Sequence, residues 1–118
     1  MKLNQNNKGI AAEAAAARFL TRQGLVLLQQ NYSCRFGEID LIMRDNQELV
    51  FVEVRLRSNL KFTSAADSIH PHKQQKLIRA AQHYLQNLNA SSPCRFDVVL
   101  FDNDSYDSPN WIRNAIDT

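Results

Sequence analysis

The order of hydrophobic patterns in this chain predicts an α/β fold built on a mixed β-sheet. Three observations carry that expectation. An alanine-rich stretch with helical character ends at Gly24; three β-rich apolar runs follow, separated by short polar turns; a long helical stretch then leads into another apolar run. A strand meander followed by a helical crossover brings the last strand back to the same sheet, which gives an α/β sandwich.

Each element has its own local reason. Residues 1–7 are polar and read as a flexible N-terminal tail, leaving 8–118 as a single domain. Lys8 to Gln23 is rich in alanine, the best helix former, and Gly24 is a natural stop. Leu25 to Tyr32, Glu38 to Arg44 and Glu48 to Arg57 read as strands, the last two joined by the tight polar turn Asp45-Asn46-Gln47. Residues 58–68 form a polar connection. A helix follows, with Pro71 in its first turn, and runs to about Asn89; Leu77, Ile78, Ala81, Leu85 and Leu88 fall at helical spacing. After a loop at 89–93, Arg95 to Asp102 reads as a fourth strand. An acidic turn leads to a short terminal element from Trp111 to Ile116.

A length of 118 residues fits one domain and allows a core without disulfides or structural zinc. No apolar run approaches the roughly 18 residues needed to cross a bilayer, and the polar N-terminus lacks the apolar segment of a signal peptide. A cytoplasmic protein with no membrane partner is therefore expected, with Cys34 and Cys94 as free thiols. Positive charge is unevenly spread. Between residues 55 and 79, Arg55, Arg57, Lys61, Lys73, Lys76 and Arg79 face a single acid, Asp67. Such a patch suits a polyanion, though a solvated helix face explains it equally well.

Three carboxylates in strand-like surroundings narrow the function. Gly37-Glu38-Ile39-Asp40-Leu41-Ile42 and Phe51-Val52-Glu53-Val54-Arg55 are both strongly apolar apart from their charged residues. An unpaired buried charge costs several kcal/mol, so such positions need a use. Strand alternation puts Glu38 and Asp40 on one face, and Glu53 and Arg55 on one face of the next strand. Val50, Val52, Val54 and Leu56 are expected to point into the core. With Arg44 opposite Gln47, Glu53 faces Glu38 directly and Asp40 diagonally. Converging carboxylates repel one another, and a bound divalent cation removes that conflict. Pairing with arginines on a solvated face is the competing explanation. Glu13 falls within the arc of Ile10, Ala14, Ala17 and Leu20, from which it could reach the same site.

These residues together resemble the PD-(D/E)XK nuclease superfamily: an acid in the first helix, Asp40 in a Gly-Glu-Ile-Asp-Leu-Ile strand, Glu53-Val54-Arg55 in the next, then a lysine-bearing helix. Within it, the chain resembles the small bacterial YraN family, over nearly its whole length. The resemblance implies a restriction-endonuclease-like three-layer α/β/α core. It implies Asp40, Glu53 and the carbonyl of Val54 as ligands of Mg²⁺ or Mn²⁺, with Glu38 beside them and Glu13 completing the site. The motif's final lysine falls on Arg55. Arginine stays protonated and cannot act as a general base, but it can hold a phosphate oxygen or stabilise developing negative charge. Lys73 or Lys76 could supply an ammonium group instead. Arg57, Lys73, Lys76 and Arg79 would track a nucleic-acid backbone.

The implied activity is metal-dependent endonucleolytic hydrolysis of structured or branched DNA, with RNA a second substrate class and a homodimer the assembly that junction cleavage needs. The alternatives are a catalytically weak or inactive nucleic-acid-binding module of the same fold, and a protein-interaction domain whose acids only form ion pairs. No aromatic platform for stacking unpaired bases stands out, which favours recognition of duplex or branched nucleic acid through its backbone. His70 and His72 lack a third ligand and read as surface residues, His83 as structural, Asp97 as the partner of a basic residue, and Trp111 as a core plug.

Overall fold

The computed structural model describes residues 7–57, 69–88, 91–102, 106 and 108–116. Of the tail expected over residues 1–7, residues 1–6 lie outside the described residues and Asn7 begins a helix; the connection at 58–68 and most of the acidic turn before Pro109 lie outside them too. The elements are α1 (Asn7–Arg22), β1 (Val26–Cys34), β2 (Gly37–Asp45), β3 (Glu48–Arg57), α2 (Pro71–Leu88), β4 (Cys94–Asp102) and β5 (Asn110–Ile112). The strands form one sheet in the order β1-β2-β3-β4-β5. The β3–β4 pair is parallel and the other three are antiparallel, so the sheet is mixed. The parallel step is the one that α2 bridges, as a crossover requires. The short terminal element adds β5 beside β4.

Each helix covers one face of the sheet. Under α1, Ala12, Ala15, Ala16 and Leu20 pack on Leu41, Met43, Val50, Val52, Val99 and Phe101. Under α2, Leu77, Ala80 and Ala81 pack on Ile42, Leu49, Phe51, Phe96, Val98 and Leu100. Val50 and Val52, expected in the core, are buried there, and the opposite face of β3 is covered as well. Leu49 and Phe51, which share a face with Glu53, are equally buried. A central strand covered on both sides reads as an unbroken apolar run, which is what Leu49-Val50-Phe51-Val52 is. Small alanines let α1 lie close to the sheet. Its packing arc is rotated from the expected one, so that Ile10 is exposed; Leu88, expected on the packed stripe of α2, is exposed as well. No helix among the described residues is long and apolar enough to cross a membrane.

The turns set the registers. Helix α1 ends in a Schellman motif, in which the Leu25 amide donates to the Leu20 carbonyl and the Gly24 amide to the Thr21 carbonyl. Gly24 has φ +103°, and a Cβ there would meet no atom within 4 Å, so only the backbone conformation demands glycine. Gly24→Ala is expected to lower stability by about 1–2 kcal/mol, read from the midpoint of urea unfolding. Both hairpins have two-residue loops. Arg35-Phe36 joins β1 to β2, with Cys34 opposite Gly37. Asn46-Gln47 joins β2 to β3, with Asp45 opposite Glu48.

Candidate functional site

The second hairpin decides which acids meet. Asn46 takes the left-handed conformation, φ +58°, at the first loop position, where asparagine is tolerated. Asp45 and Glu48 then close the loop, and both accept from the Arg95 guanidinium at 3.1 and 2.8 Å. Arg44 pairs with Leu49 and not with the expected Gln47. Moving the loop by one residue slides the register by two. Parity is kept, but Glu53 comes level with Asp40 and not with Glu38. Glu38 instead pairs with Ser33 of β1 and is exposed beside the site.

The β2–β3 pairing runs as far as Leu41 and Val52. One step beyond it, the Val54 amide donates to Asp40 Oδ2 at 2.9 Å, so a side chain accepts from a strand amide. Alternation along β2 breaks here. Ile39 packs under α2 together with Ile42, whereas Leu41 between them packs under α1. This corrects the simple two-face reading of Gly37 to Ile42. On the neighbouring strand, Asn31 takes φ +53°. Its side chain hydrogen-bonds Glu13, which also bonds Asp40. Asn31 was not singled out from the sequence; the available signal was a residue of poor β-propensity in mid-strand.

The result is an open cavity of about 390 Å³ where the β2–β3 pairing ends, lined by Gly9, Ala12 and Glu13 from α1, Asp40 from β2, Glu53, Val54, Arg55 and Leu56 from β3, and Lys73 from α2. Glu53 is 4% exposed, at the end of the buried Leu49-Phe51 stripe. Lys73 Nζ lies 3.2 Å from Glu53 Oε2, and Arg55 Nη1 3.8 Å from the same oxygen. Lys73 reaches that position because α2 starts where it does. His70 Nδ1 accepts from the His72 amide, and the His70 carbonyl accepts from the Lys73 and Gln74 amides, with Pro71 as the first helical residue. His70 is thus a helix cap.

Electrostatics follow from this crowding. Burial first, then the Asp40 carboxylate, push the Glu53 carboxyl up to about 7, against the opposing pull of Lys73 and Arg55. Burial and then Asp40 likewise push Glu13 up to about 7. Two carboxyl groups therefore sit half-protonated near neutral pH around a third. A cation of charge two would relieve that repulsion, and an oxygen donor set of this kind suits a hard ion. As the side chains stand, among the described residues no three His, Cys, Asp or Glu side chains form a ready metal cluster.

The basic residues divide. Lys73 belongs to the carboxylate cavity; Lys76 and Arg79 lie farther along α2, where they line a hollow with Arg35 and Phe36 of the first hairpin. Arg57 ends β3, and its side chain lies outside the described residues. His83 shares a hydrogen bond with the Tyr32 hydroxyl, as a structural histidine would. Asp97 is fully buried and binds Arg95, Trp111 and Asn114. Trp111 stands edge-on to Phe19 against the α1 cluster.

The sequence has many relatives. It is 55% identical over 111 residues to a UPF0102 protein of Nitrosomonas europaea, covering 94% of both chains. It is 54% identical to one of Nitrosospira multiformis, covering 93% of this chain and 92% of that one. A UPF0102 protein of Methylobacillus flagellatus is 52% identical, with 91% and 94% covered. The model of the family described as "Uncharacterised protein family UPF0102" matches residues 12–101. That span runs from the turn of α1 carrying Glu13 nearly to the end of β4 and takes in every residue of the carboxylate cavity except Gly9, so the chain belongs to the UPF0102 family.

Proposed function

We propose that this protein is a metal-dependent endonuclease of the PD-(D/E)XK type, of restriction-endonuclease-like fold, which hydrolyses phosphodiester bonds in DNA. The observation that carries the reading is the meeting of Asp40 and the buried Glu53 in one cavity beside Lys73 and Arg55, where burial first and then Asp40 raise the Glu53 carboxyl to about 7. Asp40, Glu53 and the Val54 carbonyl would hold Mg²⁺ or Mn²⁺. Such an ion supplies charge neutralisation at the phosphate and lowers the pKa of a water molecule. Arg55 holds a phosphate oxygen. Lys73, which reaches Glu53 from α2 at 3.2 Å, would supply the ammonium in place of a lysine at position 55 and stabilise negative charge developing on the phosphate. Glu13, with a carboxyl near 7, can take the proton released as the water oxygen bonds phosphorus. The leaving sugar oxygen departs with the cleaved P–O bond and takes a proton from solvent.

One observation favours a second reading, a nucleic-acid-binding module with little turnover. Val54 N–H and Lys73 already occupy one oxygen each of Asp40 and Glu53. The two readings separate on labelled branched, duplex and single-stranded DNA incubated with magnesium or manganese. Cleavage is expected, with a loss of at least about a hundredfold in Asp40→Asn and in Glu53→Gln. Salt-sensitive binding with no cleavage in either metal selects the binding module, and cleavage unchanged in both variants removes this cavity as the active site.

A further inference from the structure

The first hairpin carries residues that its turn does not ask for. Two-residue hairpin loops favour asparagine and glycine, yet this one is Arg35-Phe36, with the positive φ of +150° taken by Gly37 just after it. Gly37 lies against α2, where a Cβ would stand 3.5 Å from Lys76 Cβ. The hairpin tip is thereby held beside the exposed side of α2. Two adjoining hollows of about 360 and 330 Å³ run between them, sharing Arg35, Phe36 and Arg79. Among the described residues neither is lined by an acid.

The Phe36 ring is braced. It stands edge-on to His83, with centroids 6.1 Å apart, and His83 is bonded in turn to Tyr32. The Arg35 guanidinium lies 4.9 Å from the Phe36 centroid. An aromatic ring thus lies beside the basic residues Arg35 and Arg79. Phe36 is far in sequence from Lys76 and Arg79, and only the hairpin register brings it to them. A smaller hollow of about 220 Å³, lined by Gly37, Glu38, Asp40, Lys73, Lys76 and Leu77, shares Lys76 with this groove and Asp40 and Lys73 with the carboxylate cavity.

We propose that the groove between the Arg35-Phe36 tip and α2 binds a single-stranded nucleic-acid segment leading out of the carboxylate cavity. Arg35, Lys76 and Arg79 contact phosphates, and Phe36 stacks on a base. Gln75 and Gln82 offer amide donors and acceptors that can pair with the Watson–Crick edges of unpaired bases. From Lys73 to Gln86, α2 rises about 20 Å, the length of about six stacked nucleotides at about 3.4 Å each. A braced ring beside a guanidinium, with further basic residues in the same groove, suits unpaired bases, since every base has a π-face.

The inference takes the direction of the strand from the endonuclease reading, but its test does not depend on cleavage. Binding of fluorescein-labelled oligonucleotides of about twelve nucleotides, single-stranded and duplex, is measured by anisotropy in EDTA. The single strand is expected to bind more tightly than the duplex and to weaken as salt rises. Phe36→Ala, Arg35→Ala and Arg79→Ala are each expected to weaken it about tenfold, while Arg22→Ala on α1 leaves it unchanged. Thermal unfolding checks each variant, and the two arginine variants carry the test if Phe36→Ala unfolds. Duplex bound as tightly as single strand, no binding of either, a folded Phe36→Ala that binds normally, or an equal loss in Arg22→Ala would each overturn the assignment. Groove-dependent binding without cleavage would overturn the endonuclease reading and leave this one standing; cleavage insensitive to the groove variants, with normal binding in them, would do the reverse.

Discussion

Asp97→Ala is expected to cost about 3–5 kcal/mol of stability, the largest effect of any single substitution considered for the fold. The Asp97 carboxylate is 0% exposed. It accepts from Arg95 Nε at 3.0 Å, from Trp111 Nε1 at 2.9 Å and from the Asn114 amide at 2.9 Å. Removing it leaves an indole N–H, a backbone N–H and the Arg95 Nε–H without their acceptor. Unmet buried donors cost more than the bonds contribute when made. Arg95 also holds Asp45 and Glu48 at the base of the β2–β3 hairpin, so the damage should spread to the element that sets Asp40 level with Glu53. Chemical denaturation measures the cost. A double-mutant cycle with Arg95→Met should show strong coupling, because both changes act on one network. A loss below about 1 kcal/mol would mean that water replaces the carboxylate and that this network does not anchor β4 to β5.

Glu53→Gln is expected to stabilise the metal-free protein at pH 8 while abolishing cleavage. The sign follows from linkage. The Glu53 carboxyl is raised in the folded protein from an ordinary 4.5 to about 7. Between those values the folded protein holds a proton that the unfolded chain has released. Stability is therefore full below about pH 4.5 and falls as pH rises through about 7. Glu13 adds to the same slope. Glutamine removes the ionisation at position 53, and the gain at pH 8 should be on the order of 2 kcal/mol. Thermal melts at pH 5 and pH 8 read it directly. Magnesium should raise the melting temperature of the wild type at pH 8 and leave Glu53→Gln unmoved. A wild type that becomes more stable from pH 5 to pH 8 would show that the carboxyl groups do not repel one another as described.

Much of this could be read along the chain. The spans of α1, β3 and α2 follow from alanine content, β-rich composition and the Pro71 start, with errors of a residue or so at the ends. Glu13, Asp40 and Glu53 stand out because charge in an apolar run needs a reason. The register does not follow from composition. A turn at Asp45-Asn46 and one at Asn46-Gln47 are both two-residue loops with asparagine in them, and both preserve parity. The choice between them rests on Asn46 and on Arg95, which approaches from a strand paired through β3 and reached only after α2. The burial of Leu49 and Phe51 likewise depends on α2, which packs over that face of β3 from far along the chain.

The sequence by itself determined the α/β class, the order of the elements, and which side chains carry negative charge into an apolar sheet. Local propensity and period depend on near neighbours, and these are printed in the chain. Only the tertiary structure decided that Glu53 stands level with Asp40, that Lys73 reaches Glu53 from another layer, and that Arg35 and Phe36 face Arg79 across a groove. Each of these depends on how elements far apart in sequence slide and stack. That is settled by packing on both faces of one sheet, where a shift of two residues leaves every alternation intact and changes every partner.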